Sequence, residues 1–372
     1  MSTPLRIAVV GSRGIPTAYS GIETSLAELC PRLADRGHRV VVYCRKSYGL
    51  PGCYRGVKLV SLPSLNTKHL DTISHVFLSV AHLLAREAVD IVHFHAIGPT
   101  LLSWIPRLGN KKVIATVHGE DWRREKWGRG AKSVLRLGEV ASARIPHRTI
   151  VVSRTLERRY NEHYGISVDY IPNGIAIPSL RPPQQITSVY GLRGGDYILF
   201  AGRLVPEKGC HYLIEAFQRL GGDLRLVVAG KGSHTDRYVE TLRRQAGLAV
   251  LFTGHVSGVI LEELFSNALL FVLPSIVEGL SLSLMEAMAF GRCVVASDIP
   301  ENREIIGDAG FVFKNRDAGD LERALRGIMN QPELIRGLGQ RAREAILKKY
   351  DWDEITRATE AVYQSILQRK GS

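Results

Sequence analysis

PSIVEGLSLSLMEAMAFGRCVVASDIP, residues 274–300, holds a strand-to-helix turn, a helix and the strand that follows. The apolar run just before it, residues 268–273, reads as a buried strand. Pro274 ends that strand, because proline cannot donate to the ladder. A loop over 275–279 leads into an apolar helix closed near Gly291, a residue suited to a C-cap, and 294–297 reads as the next parallel strand. Glu278 therefore lies at the carboxyl end of a strand, where a doubly wound sheet binds its ligands. Its ordinary alternative role is to balance a helix dipole, worth about 0.3–1 kcal/mol. Glu286 sits among Leu282, Leu284, Met285, Ala287 and Met288. A buried carboxylate needs a partner, either a structural one or a ligand hydroxyl.

The same βα rhythm runs outward in both directions. Toward the N-terminus, residues 6–10 form a strand followed by G-S-R-G-I-P (11–16) and an amphipathic helix over 23–36, with Leu26, Leu29 and Leu33 on one face. Gly11, Gly14 and Gly21 either serve a tight turn or let backbone approach a phosphate or sugar. The spacing is neither G-x-G-x-x-G nor a P-loop. Strands are expected at 40–43, 58–62, 90–95, 112–118, 149–153 and 168–171, with a helix over 71–86. Several end in polar residues: His93 and His95, His118 in T-V-H-G-E-D with Glu120, Ser153, and Asn173-Gly174. His118 is the strongest functional candidate among them.

Residues 177–195, with Pro178, Pro182 and Pro183 and little periodicity, read as the interdomain linker. Beyond it, the strand 197–201 runs into GRLVPEKG. Arg203 and Lys208 there flank a turn beside a helix starting near Cys210, a diphosphate-type anion site. Strands at 224–229, 250–253 (ending G-H-V) and 310–313 follow, with helices from 317 and over 353–368.

The 372 residues suit two domains of similar size, and 45% apolar with 23% charged is the composition of a soluble globular chain. Cys30, Cys44, Cys53, Cys210 and Cys293 form no C-x-x-C pair, so neither a zinc site nor a disulfide framework is expected. No signal-peptide pattern and no run of 18 apolar residues occurs, so a cytoplasmic protein is expected. The net charge of +13 is uneven: residues 1–178 hold 25 Lys/Arg against 13 Asp/Glu, whereas 179–372 hold 24 against 23. The basic half suggests an anionic partner. Residues 121–148 interleave Trp122 and Trp127 with Arg123, Arg124, Lys126, Arg129, Lys132, Arg136, Arg144 and Arg148. That pattern suits either anionic lipid headgroups or a solvated helix with its tryptophans packed inward. No nucleic-acid-binding motif accompanies the charge, so no nucleic-acid partner is expected.

GRLVPEKG, VVAGKG, FTGHVS and PSIVEGLSLSLMEAMAFGRCVVASD together resemble the donor half of retaining nucleotide-sugar glycosyltransferases of family four (group 1). GSRGIPTAYSGIET and DIVHFHA with VHGED resemble the acceptor half, so the likeness spans essentially the whole chain. Glu278 and Glu286 stand with the family's seven residues between them. The resemblance implies an α/β GT-B fold: two Rossmann-like doubly wound domains facing across a cleft, with the C-terminal helix crossing back to the first. On this chain that gives an acceptor-binding domain over 1–178, a donor-binding domain over 179–350 and a returning helix over 351–372.

It also implies roles. Arg203 and Lys208 neutralise the donor diphosphate, Glu286 binds ribose hydroxyls, and Glu278 contacts the donor sugar. Backbone at Leu280, Ser281, Leu282 and Ser283 approaches sugar and phosphate, while His255 and Val256 meet the base. His118 faces the reacting sugar, and Gly14 and Gly21 lie against the diphosphate; His118, Arg203, Lys208 and Glu278 are the implied catalytic set. His95, Glu120 and Asn173 are acceptor-side candidates. The implied chemistry is front-face substitution with retention, needing no divalent metal and no cofactor beyond the nucleotide-diphosphate sugar as co-substrate. Two positions depart from many members: Ser20 precedes Gly21 where Gly-Gly is common, and Ser281 stands where Gly is common. The opening GSRGIP…GIET resembles enzymes building bacterial surface polysaccharides. A lipid-linked or saccharide acceptor, handled at the inner membrane leaflet, is expected. A nucleotide-sugar epimerase of the same fold, or an inactive nucleotide-sugar-binding protein, is the alternative.

Overall fold

The computed structural model describes residues 3–16, 20–48, 51–67, 70–124, 127–232 and 235–368. Its contacts divide the chain into two compact units, residues 1–174 with 352–372, and residues 175–351.

The first unit is built on eight strands: β1 (Arg6–Val10), β2 (Arg39–Arg45), β3 (Gly52–Tyr54), β4 (Val57–Leu62), β5 (Ile91–His95), β6 (Lys112–Val117), β7 (Arg148–Val151) and β8 (Asp169–Tyr170). They lie in the order β3-β4-β2-β1-β5-β6-β7-β8, all parallel except the hairpin β3–β4. The order reverses between β1 and β5, which pair Ile7 with Ile91 and Val9 with His93. Strand alternation divides the core. Ile7, Val9, Val40, Val42, Ile91 and Ile114 face the helix Gly21–Asp35 through Leu26, Leu29 and Leu33. The helix Trp352–Gln368 packs on the same face through Trp352, Ile355, Val362, Tyr363 and Ile366. Ala8, Val10, Val41, Tyr43, Val92 and Phe94 face the other way, against Val76, Val80 and Leu83. The C-terminal helix thus belongs to the first unit's core.

The second unit contains β9 (Tyr197–Ala201), β10 (Arg225–Ala229), β11 (Val250–Gly254), β12 (Leu270–Leu273), β13 (Cys293–Ser297) and β14 (Phe311–Phe313). The order β11-β10-β9-β12-β13-β14 is all parallel and reverses between β9 and β12. In both sheets the reversal opens the ligand crevice of a doubly wound fold at the strands' carboxyl ends.

The segment 177–195 differs from its reading as a linker. It carries the helix Gln185–Tyr190, with Ile186 buried and its N–H donated to Glu263 Oε2 at 3.0 Å. The Arg181 N–H donates to Ser266 Oγ at 3.0 Å, and Asn267 Nδ2 donates to the Arg181 carbonyl at 2.9 Å. Buried Ile186, with Leu192 also buried, and these bonds dock the segment on the helix Val259–Asn267. The division falls instead at Gly174, where a Cβ would come within 2.4 Å of the Trp352 ring.

Candidate active site

In the second unit, two turns are packed onto each other at the β9/β12 reversal. Gly209 has φ +66°, and a Cβ there would stand 1.9 Å from the Pro274 carbonyl oxygen. Only glycine allows this approach. The Ile276 N–H donates to the Glu207 carbonyl at 2.8 Å, and the Ser297 hydroxyl donates to the Ser275 carbonyl, bracing the β12 loop from β13. These contacts bring Lys208 Nζ onto Glu278 Oε1 as a largely buried ion pair. The cation and carboxylate expected to meet different parts of a ligand therefore hold each other. Arg203 is half-buried in the same turn.

Leu280 and Ser281 are buried ahead of the helix Leu282–Ala289, and Ser283 is half-buried in its first turn. The Ser281 side chain does not cap this helix; its hydroxyl lies 3.4 Å from that of Ser283. The helix N-terminus thus opens on the loop carrying Glu278 with its first N–H groups uncapped by that side chain, a place for an anion. Glu286, one turn on, is half-buried, and its carboxylate makes no hydrogen bond among the described residues, while its backbone carbonyl accepts the Phe290 N–H at 2.9 Å. Burial pushes its carboxyl up to about 7. After β11, His255 is exposed and Val256 half-buried.

In the first unit, strand alternation puts His93, His95, Thr116 and His118 on the sheet face covered by the C-terminal helix. His93 Nδ1 lies 2.8 Å from the Tyr363 hydroxyl and its Nε2 2.7 Å from Thr116 Oγ1. His95 Nδ1 lies 3.0 Å from His118 Nε2. Burial lowers His93 to about 3 and His118 to about 4, so the cluster is neutral near pH 7. His95 is lowered well below the usual imidazole value by burial and by its two neighbours. Tyr363 carries no local sequence signal, because its partner is 270 residues away.

The glycine-rich turn has a structural explanation at Gly14: φ is +131°, and a Cβ would stand 2.8 Å from Cys44 Sγ. Gly21 is exposed at the start of its helix. Buried Glu23 accepts the Arg13 N–H at 2.9 Å and the Ser20 hydroxyl, fixing this turn. Among the acceptor-side candidates, His95 joins His118. Glu120 is instead ion-paired to Arg123 at 2.9 Å and Arg159 at 3.0 Å, and Asn173 is buried beside Gly174.

The basic segment also differs from an interfacial tryptophan belt. Trp122 Nε1 donates to Glu139 at 2.7 Å, and Arg123, Arg136 and Arg159 lie over its ring at 5.4, 4.8 and 5.4 Å. Its polar tip is satisfied and its faces are covered by cations, so it packs with its own unit. Trp127 is half-buried, while Glu125 and Lys126 lie outside the described residues. The exposed apolar residues of the helix Arg129–Arg144 are Val134 (52%), Leu137 (61%) and Val140 (43%), spaced on one face.

Among the described residues, no group of three His, Cys, Asp or Glu side chains is placed to hold a metal ion. None of the described helices is long and apolar enough to cross a membrane.

Comparison with known proteins agrees with this arrangement. The family "Glycosyl transferases group 1" matches residues 188–345, and "Glycosyltransferase Family 4" matches residues 19–177. The phosphatidyl-myo-inositol mannosyltransferase of Mycolicibacterium smegmatis is 28% identical over 368 residues, spanning 93% of this chain and 90% of its own. A Bacillus subtilis protein described as a glycosyltransferase, EpsD, is 30% identical over 306 residues, spanning 73% of this chain and 76% of its own. Among solved structures, Anabaena HepE in complex with UDP-glucose superposes with a TM-score of 0.81 at 17% identity, covering 97% of this chain and all of that one. With two doubly wound sheets, paired turns at the second reversal and family matches over both halves, this chain belongs to the group 1, family 4 glycosyltransferases of the GT-B fold.

Proposed function

We propose that this glycosyltransferase is a retaining, metal-independent hexosyltransferase that moves a sugar from a nucleotide-diphosphate donor to a lipid-linked or saccharide acceptor. The observation that carries the donor site is Glu286: a carboxylate among apolar side chains with no protein hydrogen bond among the described residues, on the helix whose N-terminus opens beside Lys208–Glu278. Ribose hydroxyls supply the donors it lacks. Lys208, Arg203 and the helix N-terminus offset the diphosphate charge, including the charge that grows as it leaves, which is the electrostatic work a divalent metal does elsewhere. Glu278 holds Lys208 in place and contacts the sugar; His118 contacts the sugar being transferred. In front-face substitution the C1–O bond to phosphate breaks, the C1–O bond to the acceptor forms on the same face, and the acceptor proton passes to the leaving phosphate. The lipid-linked acceptor is supported by the likeness to a phosphatidyl-myo-inositol mannosyltransferase. A cytoplasmic location on the inner membrane leaflet is supported by the basic N-terminal half and the outward Val134, Leu137 and Val140.

A thermal-shift panel of UDP, GDP, dTDP and ADP with their sugars tests this reading. A ligand at a hundredfold excess over Kd adds about 2.7 kcal/mol to native stability. With the donor so identified, Arg203→Ala and Lys208→Ala each lower kcat by roughly 10²–10³-fold. The absence of any nucleotide shift, or unchanged turnover in both variants, overturns the assignment.

A further inference from the structure

His95 Nδ1 and His118 Nε2 share one hydrogen bond at 3.0 Å, and two neutral rings permit only two ways to make it. If His118 Nε2–H donates, His95 must carry its remaining proton on Nε2. That atom is buried without a hydrogen-bond partner among the described residues. If His95 Nδ1–H donates, the same Nε2 is a bare lone pair, and the proton of His118 sits on Nδ1. Orphaned buried N–H groups are rarer than orphaned acceptors, so the second arrangement is favoured. It leaves His118 Nδ1–H as the cluster's unspent donor, on a half-buried ring.

The rest of the cluster holds His95 in place. His93 is bound at both nitrogens, by Tyr363 and Thr116, and its ring lies 4.2 Å from that of His95. The His95 and His118 rings are stacked 5.3 Å apart. Tyr363 comes from the helix Trp352–Gln368, so the C-terminal helix reaches His118 through two packed imidazoles.

We propose that His95 is a positioning residue that acts through His118: it fixes the neutral His118 tautomer that presents Nδ1–H to substrate, with Tyr363 and His93 buttressing it. This rests on the reading that His118 contacts the sugar, so its test begins with a measurement independent of turnover. Long-range proton–nitrogen spectra of the full chain labelled with ¹⁵N-histidine, assigned by His118→Gln and His95→Asn, report which nitrogen of each ring is protonated. The expected result is His118 protonated on Nδ1 and His95 on Nδ1. A wild-type His118 protonated on Nε2 overturns the proposal without any variant needing to fold.

His95→Asn keeps an amide donor where Nδ1 stood and should retain the His118 signature and most of the activity. His95→Phe keeps the ring but not the donor. It should mix the His118 tautomers and lower turnover roughly 10–100-fold, measured with whichever of UDP-glucose, GDP-mannose, dTDP-rhamnose or ADP-glucose gives the largest thermal shift. Combined with His118→Ala, His95→Phe should add no further loss. Equal losses in His95→Asn and His95→Phe with an unchanged His118 spectrum reject the positioning role. Full activity in His118→Ala rejects the sugar-contact reading instead, and leaves the tautomer result to judge the hydrogen bond.

Discussion

Replacing Glu286 by Gln should make the ligand-free protein more stable in mild alkali while weakening its grip on a nucleotide sugar. Burial raises the Glu286 carboxyl from 4.5 to about 7. An acid whose folded pKa is raised destabilises the native state once the unfolded chain ionises. The penalty is absent below about pH 4.5, grows between 4.5 and 7, and is fully present at pH 8. A displacement of that size corresponds to about 3 kcal/mol as a ceiling. Local relaxation and water reduce it to roughly 1–2 kcal/mol. For a unit of this size that is a rise in Tm of roughly 2–8 °C at pH 8, shrinking toward zero at pH 4.5.

The bound state moves the other way. Each charge-assisted bond from a ribose hydroxyl to the carboxylate is worth about 1.5–3 kcal/mol, so the Glu286→Gln change should raise the nucleotide Kd by at least roughly tenfold. Scanning calorimetry of wild type and Glu286→Gln at pH 4.5, 6 and 8, with and without the nucleotide that shifts wild type most, reads both effects. A variant no more stable than wild type at pH 8 refutes the unpartnered carboxylate. A variant with undiminished ligand-induced shift refutes its role in donor binding.

Gly209→Ala should destabilise the second unit by about 2 kcal/mol or more, because a Cβ at φ +66° also strikes the Pro274 carbonyl. Gly191→Ala, in the same unit and the same left-handed conformation (φ +64°, ψ +26°) with nothing within 4 Å among the described residues, supplies the control, and urea midpoints equal for the two would refute the close-approach argument. His75 and His118 are held at about 4 and His93 at about 3 by burial, so stability is lost as pH falls below about 6.5, where the unfolded chain takes up protons that the native state refuses. At pH 5 each costs about 2 kcal/mol, outweighing the opposite contribution of Glu286, and chemical denaturation at pH 7 and pH 5 measures the sum; an unchanged midpoint would count against the buried neutral cluster. Val134→Asp with Leu137→Asp should abolish flotation with anionic vesicles while leaving turnover of a soluble acceptor within about twofold; vesicle binding that survives the change would move the contact elsewhere.

Local pattern locates the strands and the two glutamates because both depend on short-range sequence. Residues 268–273 are apolar without alternation, as a strand covered on both faces must be, and the helix carrying Glu286 is apolar for the same reason. The hairpin strand β3 gives no such signal. It is three residues long and partly exposed, and its turn puts Arg55 at φ +46° beside Gly56 at φ +81°, a conformation that an Arg-Gly pair does not advertise. Residues 177–195 depart from the linker reading for a related reason. Proline and glycine mark breaks in regular structure, yet two buried side chains, Ile186 and Leu192, set among side-chain-to-backbone bonds, fix the segment.

What local pattern does not carry is pairing at a distance. Lys208 and Glu278 are legible as two separate charged candidates, and their meeting depends on two turns 70 residues apart touching where Gly209 lacks a side chain. Trp122 has the residue type and neighbours of an interfacial tryptophan, whereas Glu139 and three arginines occupy its edge and faces. In both cases residue type is right and partner decides role. Glu286 is the converse. It is the candidate to which the described residues supply neither a cation nor a hydrogen-bond donor, and the chain tolerates that cost on a helix it could have made wholly apolar. Such a carboxylate, beside a paired cation and an open helix N-terminus, is what the proposed donor-binding role requires: its hydrogen-bond donors would come with the ligand.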